Sequence, residues 1–383
     1  MSGDASAPNL LVVAGELSGD MHAARVIEAF RAARPGVDVW GLGGDGLAAQ
    51  GVSLRQHVRD LAVLGLVEVL KRYGFFRRVF RALLDEVDRR RPAAALLIDY
   101  PGFNLRLAAQ LKRRGVRVIY YVCPQVWAWH RSRIPKMAKI IDRLCVIFPF
   151  EVEIFRGTGL DVQFVGHPLV EQAAAVLARP PEALPWPGSL NVALLPGSRR
   201  QELERLLPDL LAAAARLERA RPEAGFLLPA ATPEMEQLAR RILADAKERP
   251  EKLAIVAGRT REILRQARAA WVASGTATLE TALMECPMVV VYRTAAMTYH
   301  IGKRLVRVPY LGMVNLLAGR ELCPELIQQA VAPDALVAAI APLLDDTPER
   351  SAMVEGLRAV KASLGSGGAA ARVAGVLADE FAS

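Results

Sequence analysis

Short apolar runs alternate with segments whose apolar residues recur at helical spacing along most of the chain. The first run, Leu10-Leu11-Val12-Val13-Ala14, breaks into Gly15-Glu16-Leu17-Ser18-Gly19-Asp20. A helical pattern then runs from His22 to Ala33, carried by Ala24, Ile27, Ala29 and Phe30. The same plan reopens at Val192-Ala193-Leu194-Leu195. There the run ends at Pro196-Gly197-Ser198, and Leu203, Leu206, Leu207, Leu210, Leu211, Ala214 and Leu217 follow on one helical face. After the first opening, further runs stand at Val39–Gly44, Ala93–Ile98, Val116–Cys123 and Leu144–Phe148. After the second they stand at Gly225–Leu228, Ala254–Val256, Ala269–Ala273 and Pro287–Tyr292. Unbroken runs of this kind predict buried parallel strands, and the alternation predicts α/β architecture. Two openings predict two doubly wound domains facing a cleft, over residues 1–178 and 190–345. The stretch 179–189, with Pro180, Pro181, Pro185 and Pro187, reads as the linker. Residues 346–383 are helical and alanine-rich, broken by Gly365-Ser366-Gly367-Gly368.

Composition narrows the class. At 383 residues, 52% apolar and 23% charged, the chain suits two globular cores. No run of about 18 uncharged apolar residues occurs, so no membrane-spanning helix is expected. The first nine residues carry no basic residue ahead of the apolar run, which argues against a secretory signal. Cys123, Cys145, Cys286 and Cys323 lack paired spacing, which fits a reducing cytoplasm better than disulfides or structural zinc. The net charge of +9 favours acidic partners. No nucleic-acid recognition motif accompanies it, so nucleic acid is not the expected partner. Residues 61–81 concentrate apolar and basic side chains, with Glu68 the only acid among them. The apolar side is wider than an ordinary amphipathic stripe, which points to lipid contact through Val63, Leu66, Val67, Leu70, Phe75 and Phe76. A core-facing helix with a solvated basic face is the plainer alternative. Gly65 and Gly74 predict two short helices rather than one.

Candidate chemistry collects at the predicted strand ends. Asp99 follows a buried strand, which suits a general base; Pro101-Gly102 also allows a simple turn acid. Asp20 reads as a helix-start acid, whereas Glu16 is less easily explained as structure. Trp127 and Trp129 in Pro124-Gln125-Val126-Trp127-Ala128-Trp129 form either a pocket lip that binds the acceptor, stacking on sugar rings or acyl chains, or a packed domain edge. His167, before a proline, reads as structural. Gly197 and Ser198, with Ser198 placed to cap the following helix, aim backbone N–H groups at one spot where Arg199 adds a charge. A phosphate is a natural occupant, although an ordinary strand-to-helix turn would look the same. Ser274, Gly275 and Thr276 open another helix as a second anion or ribose site, and Glu280 is placed for ribose hydroxyls. Asn315, uncharged in an apolar context, predicts a buried contact with ligand or backbone. The first loop is not a GxGxxG fingerprint, and no Asp-x-Asp pair or histidine cluster is placed for a metal, so no cofactor is expected.

Gly15-Glu16-Leu17-Ser18-Gly19-Asp20, Ile98-Asp99, Pro124 to Trp129, Phe164-Val165-Gly166-His167-Pro168, Leu195 to Arg199, Ser274 to Glu280 and Asn315-Leu316-Leu317-Ala318-Gly319-Arg320-Glu321 occur in one order. That order resembles the lipid-A-disaccharide synthase family. Leu17 stands where a small residue is expected, and the acid beside it is kept. The resemblance implies an inverting GT-B glycosyltransferase built of two Rossmann-like domains, with the last helices crossing back to an N-terminal domain. It implies transfer from UDP-2,3-diacylglucosamine to 2,3-diacylglucosamine 1-phosphate, giving the β-1,6-linked disaccharide 1-phosphate and UDP. Asp99 would take the proton, with Glu16 orienting the hydroxyl or sharing that role. Gly197, Ser198 and Arg199 would hold the diphosphate, supported by Ser274, Gly275, Thr276 and Glu280, with Asn315 and Gln328 as further donor-side candidates. Such an enzyme would work at the anionic inner face of the inner membrane as a peripheral protein. The glycine break near residue 366 would serve as a hinge or permit exchange within a homodimer. A soluble UDP-sugar epimerase shares the nucleotide site but has no use for residues 61–81. A two-lobed binding protein has no use for Asp99.

Overall fold

The computed structural model describes residues 8–61, 73–129, 131–295, 299 and 308–382. They form two compact units: residues 1–168 with 367–383, and residues 169–366.

The first unit is built on a parallel sheet of seven strands in the order β3-β2-β1-β4-β5-β6-β7. These are β1 (Asn9–Ala14), β2 (Asp38–Gly43), β3 (Ser53–His57), β4 (Ala94–Ile98), β5 (Arg117–Tyr121), β6 (Arg143–Val146) and β7 (Asp161–Phe164). β1 and β4 are buried at every position, as expected for strands covered on both faces. The edge strands β3 and β7 were not legible as apolar runs. They are short, polar and only partly buried, so they carry no such run. The final helix, Ala369–Asp379, belongs to this unit. Phe381 beyond it packs on Phe30 with ring centroids 5.5 Å apart, Arg34 donates to the Ala378 carbonyl, and Arg117 pairs with Glu380 at 3.0 Å.

The second unit has six parallel strands in the order β10-β9-β8-β11-β12-β13. They are β8 (Leu190–Leu195), β9 (Ala224–Ala230), β10 (Leu253–Ala257), β11 (Ala269–Ala273), β12 (Met288–Tyr292) and β13 (Glu325–Ile327). The helix Arg200–Ala220 buries the leucine face read from the sequence, including Leu203, Leu206, Leu207, Leu210, Leu211 and Leu217. The proline-rich stretch departs from its reading as a linker. It is fastened within this unit: Glu182 N donates to Glu262 at 3.1 Å and Trp186 Nε1 to Gln266 at 3.2 Å.

The basic, aromatic segment divides. Val63, Leu66, Val67 and Leu70 lie outside the described residues. Phe75 and Phe76 start the helix Tyr73–Arg90 and pack, partly buried, against the core of the first unit. For these two aromatics the core-facing alternative holds in this structure. Phe80 in the same helix meets Phe103 edge-on at 5.3 Å. Gly74 is the second residue of this helix, and Gly65 lies outside the described residues. Among the described residues, no helix is long and apolar enough to cross a membrane.

Candidate functional site

In each sheet the strand order reverses between two neighbours, and chemistry in open α/β sheets gathers at the carboxyl ends flanking that reversal. In the first unit the neighbours are β1 and β4. Ala14 is in register with Ile98, so the loop bearing Glu16 and the turn bearing Asp99 leave the sheet side by side. Gly15 is required there: a Cβ would lie 2.2 Å from Cδ1 and 2.4 Å from Cγ of the Tyr100 ring. Asp99 and Tyr100 both adopt left-handed backbone, at φ 44° and 49°, and Val122, at the end of β5, does so at 66°. Such strain persists only where surroundings impose it, and it clusters at functional sites. Here the surroundings are named bonds. Asp99 N donates to the Tyr121 carbonyl, the Asn104 amide donates to the carbonyls of Ile98 and Asp99 at 3.1 and 2.8 Å, and Tyr120 Oη donates to the Asp99 carbonyl at 2.5 Å.

Burial, and next the charge of Glu16, raise the Asp99 carboxyl above its ordinary range, opposed by a hydrogen bond from the Tyr100 amide. A carboxylate raised this way is a better proton acceptor than a solvated one. Glu16 itself is exposed at the start of the helix Leu17–Ala33. Asp20 is a brace. Its buried carboxylate accepts from the amides of Gly44 at 2.6 Å, Gly46 at 2.8 Å and Leu47 at 3.2 Å, tying the second loop to the first. It stands in the first turn of the helix Leu17–Ala33, as its sequence position suggested, and also holds the start of the next helix, Asp45–Ala49.

The two tryptophans separate. Trp127 is buried and donates its indole N–H to Glu151 at 3.1 Å, whereas Trp129 is 54% exposed. Glu151 is 1% exposed and also accepts from Phe148 N at 3.1 Å. Burial pushes its carboxyl up to about 7, against the pull of these bonds. His167 is buried against Phe148, with centroids 5.2 Å apart, and burial lowers its pKa to about 4.

In the second unit the reversal lies between β8 and β11, with Leu195 in register with Val272. The loop Pro196–Arg199 and the turn Ser274–Thr276 therefore leave neighbouring strands. Gly197 sits at φ 115°, and a Cβ there would meet Glu202 Oε2 at 2.3 Å. Arg199, not Ser198, occupies the cap position, because Glu202 reaches back over the turn. Glu202 Oε2 accepts from Ser198 N at 2.9 Å and Arg199 N at 3.2 Å, and its Oε1 lies 3.3 Å from Arg199 Nη1. The groups assigned to an anion are thus gathered around one, the protein's own carboxylate. Sequence reading missed Glu202, although an acid three residues past a helix cap is the signal for it.

Ser274 Oγ donates to the Leu311 carbonyl at 2.8 Å, and Gly275 takes φ 142° before the helix Thr276–Leu283. Glu280 pairs with Arg261 at 2.7 Å, and Arg261 also donates to Gln172 at 2.6 Å. Asn315 is fully buried and fully bonded to its surroundings. It accepts from the amides of Leu322 and Cys323, each at 2.9 Å, and donates to the Cys323 carbonyl at 2.8 Å and Glu325 at 2.9 Å. Of its two readings, backbone contact is the one observed. Gln328 clamps the Thr294 backbone, accepting from its amide at 2.7 Å and donating to its carbonyl at 3.1 Å. Among the described residues no group of three or more His, Cys, Asp or Glu is placed to hold a metal.

The profile described as lipid-A-disaccharide synthetase matches residues 10–372. A lipid-A-disaccharide synthase of Anaeromyxobacter sp. (strain K) is 43% identical over 374 residues, covering 95% of each chain. Among solved structures, a putative UDP-N-acetylglucosamine 2-epimerase from Listeria monocytogenes superposes with a TM-score of 0.66 at 14% identity, covering 97% of this chain and 96% of that one. Acinetobacter baumannii MurG does so with a TM-score of 0.56 at 14% identity, covering 97% and 99%. The fold is of the GT-B class.

Proposed function

Because the chain belongs to the lipid-A-disaccharide synthase family, a family of glycosyltransferases of lipid A biosynthesis, we propose that it condenses UDP-2,3-diacylglucosamine with 2,3-diacylglucosamine 1-phosphate. The products are the β-1,6-linked disaccharide 1-phosphate and UDP. The observation that carries this reading is the Asp99 turn. A carboxyl raised in pKa, on strained and multiply pinned backbone, ends the strand beside the Glu16 loop.

The acceptor is assigned to the first unit and the donor to the second. The acceptor's 6-hydroxyl oxygen attacks the anomeric carbon from the face opposite UDP. Asp99 takes the hydroxyl proton as the new C–O bond forms, and the bond to the diphosphate oxygen breaks with its electrons leaving on UDP. Glu16 orients the hydroxyl and sustains the basicity of Asp99. The diphosphate takes the place of Glu202 on the amides of Ser198 and Arg199, with Gly197 giving the room and Arg199 the charge. Ser274, Gly275 and Thr276 flank it, and Glu280 accepts from the ribose hydroxyls. Asn315 and Gln328 act at one remove, by bracing the loops around the donor. Both substrates are anionic amphiphiles, which suits a chain of net charge +9. On this reading the protein works at the cytoplasmic surface of the inner membrane, with Trp129 toward acyl chains.

Turnover by the Asp99→Ala variant tests the assignment. Disaccharide formation is expected to disappear while UDP affinity stays within about twofold, because Asp99 acts on the acceptor alone. Wild-type activity in that variant would remove Asp99 from the mechanism.

A further inference from the structure

Glu151 has no part in the chemistry above, yet its position is costly. A carboxyl 1% exposed loses its hydration, and an apolar residue would fill the same space without that loss. What it does instead is join two strand ends. Oε1 accepts from Trp127 Nε1, in the short helix Val126–Trp129 after β5, and Oε2 accepts from Phe148 N, after β6. The held indole meets Phe150 edge-on at 5.1 Å, and Phe150 stacks on Phe148 at 5.6 Å. The helix so anchored is a single turn, which has little stability of its own. It carries the exposed Trp129 two residues beyond the anchor. The strained Val122 lies shortly before it, just past β5, the neighbour of the strand β4 that leads into Asp99.

We propose that Glu151 is a positioning residue for the acylated acceptor: by fixing the Trp127 indole it sets the pose of the Val126–Trp129 turn, and with it the Trp129 face against the acceptor. This rests on the reading that the acceptor lies along the carboxyl edge of the first unit. Two oxygens serving two N–H donors make the carboxylate specific. Glutamine at 151 would turn an NH2 toward one of them.

The test is steady-state kinetics on the full-length protein with Glu151→Gln, Trp127→Phe, the double variant and Trp129→Ala. Trp127→Phe keeps one aromatic ring and removes the indole donor with the second ring, so it remains informative even where Glu151→Gln folds poorly. Each of the first two variants is expected to raise the acceptor KM about tenfold, the scale of one charge-assisted hydrogen bond, with kcat and the donor KM within about twofold. The double variant should be no worse than Glu151→Gln alone, because both remove one interaction. Variants that lower the melting temperature but leave the acceptor KM unchanged would overturn the proposal and make Glu151 purely structural. An unchanged acceptor KM in Trp129→Ala would overturn it differently, by removing the acceptor placement on which it rests.

Discussion

Gly15→Ala probes how closely the first loop and the candidate base are interlocked. The added methyl would lie 2.2 Å from Tyr100 Cδ1 and 2.4 Å from Cγ. Carbon atoms in ordinary contact stand about 3.5–4.0 Å apart, so the ring must retreat by roughly 1.3 Å. Rotation about the ring axis gives no relief, since Cγ lies on that axis. The whole side chain or its backbone has to move. That backbone is already left-handed at Tyr100 and Asp99, and the Asp99 carbonyl is held by Asn104 and Tyr120. The displacement therefore reaches the Asp99 carboxylate. A misplacement of about 1 Å at a reacting group costs on the order of 100-fold, and overpacking of this kind costs about 1–3 kcal/mol of stability. Expected are a kcat near one hundredth of wild type, a modestly lowered melting temperature and unchanged UDP binding. Gly15→Ala with Tyr100→Ala should recover much of the loss, because the clashing ring is gone. Full activity in the single variant, or further loss in the double, would refute the interlocking of loop and base.

Other expectations are independent of that clash. Glu16→Gln removes a negative charge that raises the Asp99 carboxyl, so the Asp99 pKa should fall. The acid limb of kcat/KM, where a protonated base stops working, should then move to lower pH; a limb that stays put or moves up would contradict the coupling. Asn315→Ala strands the buried amide and carbonyl of Cys323, while the Leu322 amide keeps its bond to the Arg320 carbonyl. At about 1–3 kcal/mol for each of these two unsatisfied groups, urea unfolding should show a loss of about 2 kcal/mol or more. A loss below about 1 kcal/mol would put the side chain back among ligand contacts.

Strands near the middle of each sheet were legible because burial on both faces leaves an unbroken apolar run. β1, β4, β8 and β11 announce themselves this way, and their ends are where Glu16, Asp99, Gly197 and Ser274 stand. The short edge strands β3, β7 and β13 carry no such signal, because one side of each is open. Within the site, residue type and position after a strand were readable, while side-chain partners were not. That Glu202 folds back onto Ser198 and Arg199 is signalled only by its place three residues past the cap, a spacing that equally suits a solvated helix acid. Trp127 and Trp129 look alike as a pair, yet one turn of helix turns one toward Glu151 and leaves the other exposed. Asn315 could be foreseen as buried but not as saturated, because its four partners are largely backbone groups brought together by the fold.

The most direct measurement incubates the protein with the two acylated sugars and follows product by mass spectrometry and the new linkage by NMR. The account predicts one UDP released per disaccharide 1-phosphate, a β-linkage to the 6-hydroxyl, and no product from Asp99→Ala. UDP released without disaccharide, an α-linkage, or product formed at the wild-type rate by Asp99→Ala would contradict it.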